Sequence, residues 1–457
     1  MGKGQTYKMK TSYLYQIVNL LASIILIAVL LRYLTNEAFL QWSLFTTIGG
    51  LFIQCESALS TVCIRYLVSI HYEKTEYSYL SAVNKCKKWY KMFSMIVFLC
   101  LLIGGLIYFN YVQINGLSHH FIIDWVVFCV SFLVTFNYAY NCCILISREK
   151  YFTYSIINVF SRIINVSCTC ILLVYGLGVT GLCISFIISS IIGSLGMKLS
   201  GNGIIIPEFR EVKYEYESSN HKYKLDIYHV LWNCSFTFVS YSLFRVGLLI
   251  DVGHKLNHST QASYSLGLQI QTLILALATV PISMLVSPLQ RAVIDANPNR
   301  ICYEMSRLAV YANSVFIIAL TIIIIIGPIL DYMLNAKTAL PHSFDLLILG
   351  FAFLIELNIK ILANVAMASL RYEFTIMYII SAFIGLLLAI LLWSEGTNIY
   401  IAFGLIPALI QMTVAYPLIY RSVRKVTGIS VKGYFLATII FLLRIIKHPI
   451  SIGLSFK

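Results

Sequence analysis

Twelve times along its 457 residues the chain runs apolar for about the 20 residues that cross a bilayer's hydrocarbon, then breaks at a polar or charged turn. In lipid a spanning segment must satisfy its own backbone hydrogen bonds, so runs of this length and number dictate helices. The expected spans are Thr11 to Leu34, Phe39 to Val68, Met92 to Val112, Asp124 to Ile146, Phe152 to Tyr175 and Leu182 to Ser200. The second half continues with Ile227 to Val252, Ala262 to Pro288, Leu308 to Leu334, Leu346 to Leu370, Thr375 to Trp393 and Ile399 to Tyr420. With 59% hydrophobic and 11% charged residues, the chain lacks the polar surface of a soluble protein this size.

The cations fix an orientation. With the N-terminus in the cytoplasm, 25 of the 33 Lys and Arg fall in cytoplasmic breaks and tails, and only Lys255 and Lys337 fall opposite. This positive-inside bias predicts both termini in the cytoplasm. It also accounts for the net charge of +14 without nucleic acid, because the basic loops sit on an anionic leaflet. The basic start, Met1 to Lys10, has no small-residue cleavage site after it and reads as an uncleaved first helix. Met1, Gly2 and Thr6 fit the myristoylation pattern, but one acyl chain adds little to a polytopic protein.

The longest polar connection, Gly201 to Asp226, separates six spans from six. Trp42-Ser43-Leu44 in the second span is echoed by Tyr264-Ser265-Leu266 in the eighth, half a chain length on. An even number of helices per half keeps both halves in one orientation, so the repeat axis runs along the membrane normal and substrate is expected between the halves. The expected fold is therefore all-α: residues 1–200 and 227–420 as two six-helix lobes, 201–226 as a cytoplasmic linker, and 421–457 as a basic tail. Within that tail the apolar stretch Tyr434 to Ile446 is too short to span and suits the interface. No outward loop exceeds about 14 residues, which leaves no extracytoplasmic catalytic domain.

The remaining six cations, Arg32, Arg65, Arg162, Lys198, Arg245 and Lys360, lie within the spans. A cation at the bilayer centre costs about 3 kcal/mol, so such residues face a wet cavity, a ligand or a partner. Asn158, Ser161, Arg162 and Asn165 share one helical face; Arg162 is a candidate anion ligand or, alternatively, a purely structural cap. Asn233, Thr237, Tyr241 and Arg245 step by four, and Arg245 either binds an anion or snorkels outward. Glu356 and Lys360 stand one turn apart in the order that favours an ion pair. Glu356 is accordingly either a neutralising partner or a carboxylate that exchanges Lys360 for H⁺ or Na⁺. Glu56 and Arg65 are nine residues apart on opposite faces, so Glu56 is a separate proton-relay candidate and Arg65 an anion ligand or lipid anchor. Arg32 and Lys198, near helix ends, read as interface anchors.

Pro281, Pro288, Pro328, Pro407 and Pro417 fall inside spans and predict kinks. The twelve cysteines contain no CxxC pair and read as small apolar packing residues, and His254 with His258 lacks a third ligand, so neither a metal nor a cofactor is expected.

From Arg32 to Arg65 the chain resembles the polysaccharide transporter (Wzx-type, O-antigen) flippases of the multidrug/oligosaccharidyl-lipid/polysaccharide exporter superfamily. Arg32-Tyr33-Leu34 through Phe39 and Trp42 is similar to that family's opening R-x-L…[FY]-G-x-[WY] stretch. Glu56-Ser57-Ala58-Leu59-Ser60-Thr61 followed by Arg65 resembles its acid-x-G-L-S-T…R segment, with Leu40 and Ala58 standing where the family has Gly. The resemblance implies outward flipping of undecaprenyl-pyrophosphate-linked oligosaccharide units in a bacterial cytoplasmic membrane. It also implies a cationic cavity, carried here by Arg162, Arg245 and Lys360, and a polymerase and chain-length regulator as pathway partners. The alternatives are a MATE-like drug or cation exporter of the same fold, which would want a net-negative cavity, and a membrane polymerase or acyltransferase.

Overall fold

A computed structural model describes residues 18–19, 21–72, 76–111, 119–148, 150–205, 227–251, 258–279, 298–334, 340–368 and 373–428. The expected linker from 206, the tail from 429, the His254 turn and Pro281 and Pro288 lie outside these residues. The described residues are almost entirely helical, in chain order α1 (Leu21–Tyr33), α2 (Asn36–Tyr72), α3 (Glu76–Tyr111), α4 (His119–Tyr138), α5 (Tyr140–Ser147), α6 (Tyr151–Val174) and α7 (Gly178–Ile205). There follow α8 (Ile227–Ser242), α9 (Val246–Asp251), α10 (His258–Ala278), α11 (Pro298–Leu334), α12 (Ser343–Ala368), α13 (Glu373–Ser394) and α14, which runs from Ile401 to Thr427. Nine helical segments among them are long and apolar enough to cross a membrane, and the described parts of the other three expected spans are α1, α8–α9 and α10.

The repeat is written into the helix starts. α2 and α10 begin at Asn36 and His258, α3 and α11 at Glu76 and Pro298, and α6 and α13 at Tyr151 and Glu373, all three pairs at one identical spacing, the same that separates Trp42 from Tyr264. His119 and Ser343, which open α4 and α12, and Gly178 and Ile401, which open α7 and α14, keep that spacing to within a residue or two. The Trp42-Ser43-Leu44 and Tyr264-Ser265-Leu266 triplets are buried in both copies.

Two spans differ from the expected boundaries because apolar burial continues beyond the uncharged run. α3 begins at Glu76 rather than Met92: Tyr79, Ala82, Val83, Cys86 and Tyr90 form a buried stripe at helical spacing while Lys85, Lys87, Lys88 and Lys91 stay exposed on the other side. That stripe packs on Leu59, Cys63, Leu67 and Ile70 of α2 and on Tyr140, Cys143 and Ile144 of α5. α11 likewise begins at Pro298 rather than Leu308.

By internal contacts the described chain forms two compact units, one containing residues between Ile17 and Phe238, the other Val239–Ile250 and residues from Ser259 onward. The division passes through α8. In the first unit α3 packs on α4, α4 on α7 and α7 on α6, and an aromatic core gathers rings from α2, α3, α4 and α7. Phe45 lies 4.9 Å from Trp125 and 5.2 Å from Phe121 between ring centroids, Phe128 stacks on Trp125 at 5.6 Å, and Phe186 stacks on Phe128 at 5.5 Å. Gly105 admits the indole: a Cβ there would stand 2.3 Å from Trp125 Cζ2.

In the second unit α14 alternates α and π turns, with π segments at Ile401–Leu405 and Gln411–Ala415. Each π segment immediately precedes a helical turn whose second residue is proline, Pro407 and then Pro417. A proline ring clashes with the carbonyl four residues back and offers it no N–H, and the widened π turn relieves both faults.

Candidate functional site

The expected seventh span, Ile227 to Val252, is broken. Arg245 N–H bonds to Ser242 O at 2.8 Å and Leu248 N–H to Arg245 O at 3.1 Å, so the ordinary helical ladder skips the carbonyls of Tyr241 and Phe244. In a membrane an unsatisfied carbonyl costs several kcal/mol. Side chains repair both: Arg245 Nη1 donates to Tyr241 O at 2.8 Å, and Tyr264 OH donates to Phe244 O at 2.8 Å. The Arg245 guanidinium lies 3.7 Å from the Tyr241 ring centroid, its other terminal nitrogen donates to Thr272 Oγ1, and the residue is 7% exposed.

Beside this break α12 supplies Glu356, which is 2% exposed. Ser240 Oγ of α8 donates to its Oε1, and Tyr378 OH of α13 donates to its Oε2 at 2.9 Å. Lys360 Nζ stands 3.6 Å from Oε1, and the lysine side chain is 28% exposed where the carboxylate is sealed. The network continues through Ser381, which donates to Tyr378 O at 2.9 Å and to Gln411 Oε1 at 3.1 Å in the second π segment of α14. Arg245 and Lys360 lie within electrostatic reach of each other. Glu356 thus neutralises Lys360, and Arg245, held by Tyr241 O and Thr272 Oγ1, adds a further positive charge nearby.

The first unit holds a different cluster. Arg162 Nη2 of α6 donates to Ser23 Oγ of α1 at 2.9 Å and Nη1 to Asn165 Oδ1 at 3.4 Å. Asn165 Nδ2 in turn donates to Ser189 Oγ of α7 at 3.3 Å, while Ser161 Oγ donates to Ser189 O at 2.8 Å. Asn158 turns to its own helix, bonding Tyr154 O at 3.1 Å. Glu56 of α2 accepts Tyr90 OH at 3.1 Å, and Tyr90 OH also meets Cys143 Sγ at 3.4 Å. The Arg65 side chain lies outside the described residues. Arg32 is exposed with its guanidinium 5.9 Å from the Tyr33 ring centroid, and Lys198 Nζ is 5.5 Å from that of Tyr138.

The step-of-four stripe on the seventh span divides between the units. Asn233 and Thr237 bond main-chain oxygens of α2, whereas Tyr241 and Arg245 belong with Thr272. Ser23, Ser240, Thr272, Tyr378 and Gln411 gave no signal in the sequence, since an isolated hydroxyl or amide in an apolar run is ordinary until its partner is known. Among the described residues no three His, Cys, Asp or Glu converge on a metal-binding position.

No known family model matches the sequence, and no curated protein matches it. Solved structures do match over nearly the whole chain. An inward-facing multidrug resistance MATE family transporter of the MOP superfamily aligns at TM-score 0.61 and 11% identity over 90% of this chain and 95% of its own. A mutant of the Vibrio cholerae MATE transporter VcmN aligns at 0.61 and 14% over 95% of this chain and all of its own. The lipid II flippase MurJ in an inward closed conformation aligns at 0.58 and 16% over 98% and 93%. The chain has the fold of MATE and MurJ. It is a multi-pass helical membrane protein, and within that shared fold its own polar residues carry whatever distinguishes it.

Proposed function

We propose that this protein is a flippase that carries undecaprenyl-pyrophosphate-linked oligosaccharide repeat units from the cytoplasmic to the periplasmic leaflet by alternating access. The observation that carries the reading is Arg245 near the Lys360–Glu356 ion pair inside a membrane-embedded helical unit, three charges that sum to one positive, with the Lys360 side chain partly exposed. A pyrophosphate offers the anionic oxygens such groups bind, and Arg supplies planar, forked donors for it. Arg162, with Asn158 and Asn165 on its helical face, and Arg65 are further ligands for pyrophosphate or sugar. The polyprenyl tail stays in lipid. Glu56 and Glu356 are the candidates for coupling to H⁺ or Na⁺, since each is an intramembrane carboxylate held by a tyrosine hydroxyl. The protein belongs, on this reading, in a bacterial cytoplasmic membrane with both termini inside, its basic loops on anionic lipid, alongside a polymerase and a chain-length regulator.

A second reading, a MATE-like exporter of drugs or cations, is favoured by fold likeness to MATE transporters as good as that to MurJ. One experiment separates the two. A strain lacking the protein is complemented with wild type, Arg162→Ala or Lys360→Ala, with membrane levels checked. The flippase reading expects loss of surface glycan with lipid-linked repeat units accumulating inside, rescued by wild type and not by well-expressed variants. Normal glycan with altered sensitivity to toxic cations supports the exporter instead. For the coupling assignment, Glu56→Gln and Glu356→Gln variants that both flip with unchanged dependence on the ion gradient would refute it.

A further inference from the structure

Side chains on the first half of α8 lace it to the main chain of α2. Thr237 Oγ1 donates to Gln54 O at 3.2 Å, Cys234 Sγ to Cys55 O at 3.5 Å, and Asn233 Nδ2 to Ala58 O at 3.4 Å. In that register the Cys234 thiol comes within hydrogen-bonding distance of the Cys55 thiol as well. Both cysteines are half-buried, so a reagent can reach them. A second thiol pair, Cys63 of α2 and Cys86 of α3, is in the same contact but sealed, at 0% and 1% exposure.

We propose that Cys55 and Cys234 form an oxidisable dithiol, a modification site at which an apolar two-electron acceptor of the quinone class closes a disulfide between α2 and α8. Both residues lie within apolar spans, where a charged disulfide or peroxide-derived oxidant does not readily enter and a lipid-soluble one does. In the step two S–H bonds break and one S–S bond forms, and the two electrons and two protons reduce the quinone to its hydroquinone. The product ties the first half of α8 covalently to α2, and an ordinary reductant reopens it. The site does not depend on what the protein carries.

The test treats membranes containing the full chain with decylubiquinone, blocks remaining thiols with N-ethylmaleimide, and maps cysteines by peptide mass spectrometry. The expected result is a linked Cys55–Cys234 peptide lacking two hydrogens, abolished by phosphine reductant and absent from Cys55→Ser and Cys234→Ser proteins that elute as folded wild type does. Cys63 and Cys86 should remain unlinked, because proximity without access is not enough. Equal alkylation of Cys55 and Cys234 with and without quinone would overturn the proposal. So would a stable quinone adduct in place of the link, or a Cys63–Cys86 link at comparable yield.

Discussion

The two halves of this protein are built on one frame and filled in opposite ways. Helices of the second half begin at a nearly constant spacing after their counterparts, yet matched positions hold different chemistry. Counting from the starts of α4 and α12, the buried carboxylate of Glu356 is matched by Phe132, part of the aromatic core. Counting from α2 and α10, Glu56 is matched by Ala278, and from α6 and α13, Arg162 is matched by Ile384. Trp42 packs edge-on to Phe128, whereas its counterpart Tyr264 spends its hydroxyl on the broken helix. A repeat thus sets where helices run, while the interior of each copy is free to diverge, because packing asks only for filled volume and satisfied polar groups.

The sharpest way to break this comparison uses a glycine pair matched by the repeat, one on α3 and one on α11. At Gly105 a Cβ would collide with Trp125 at 2.3 Å, while at Gly327, its own helix aside, nothing among the described residues lies within 4 Å. Gly105→Ala should therefore cost about 3 kcal/mol through overpacking, whereas Gly327→Ala has only the Pro328 ring beside it to accommodate and should lose under about 1 kcal/mol. Unfolding in mixed micelles measures both, and equal losses would mean the two interiors are not differently packed.

Next in size is the carboxylate pair. Glu356→Gln loses a charge held by Ser240, Tyr378 and Lys360 and should destabilise by about 2 kcal/mol, while Glu56→Gln, whose carboxylate accepts from the Tyr90 hydroxyl, should lose under about 1 kcal/mol. The same unfolding assay ranks them, and the reverse order would mean that the three partners of Glu356 hold it no more firmly than Tyr90 holds Glu56.

Tyr264→Phe should cost about 1 kcal/mol by leaving Phe244 O without its donor, and hydrogen exchange should rise locally at residues 243–249. Unchanged protection there would show that the break is satisfied some other way. The smallest effect is expected at Trp125→Phe: the ring loses area, but its buried indole N–H meets no acceptor among the described residues, so the two changes offset to within about 1 kcal/mol. A larger loss in the same unfolding assay would mean that the indole fills its site too closely for a phenyl ring to replace it.

How much of this was legible beforehand varies by scale. Apolar run lengths located the described helices, because spanning a bilayer constrains length and backbone bonding more tightly than any other solvent does. They misplaced the starts of α3 and α11, where a half-buried amphipathic stretch adjoins the apolar run and carries lysines or arginines on its other face. Helical spacing located Glu356 with Lys360 and Arg162 with Asn165, since both are contacts within one helix. It could not locate Ser23 for Arg162, or Tyr378 and Ser240 for Glu356, which come from other helices with no fixed distance along the chain.

By itself, then, the sequence determined that the chain is a bundle of membrane helices with a repeated order, and that Glu356 and Lys360 pair within one of them. Run length, charge sign and period are properties of one segment at a time. Only the tertiary structure decided that Arg245 sits at a break and repairs it, that Glu356 is shared by three helices, and that Cys55 meets Cys234. Those facts depend on which face of one helix meets which face of another, and a polar side chain in an apolar run acquires its role from that meeting alone.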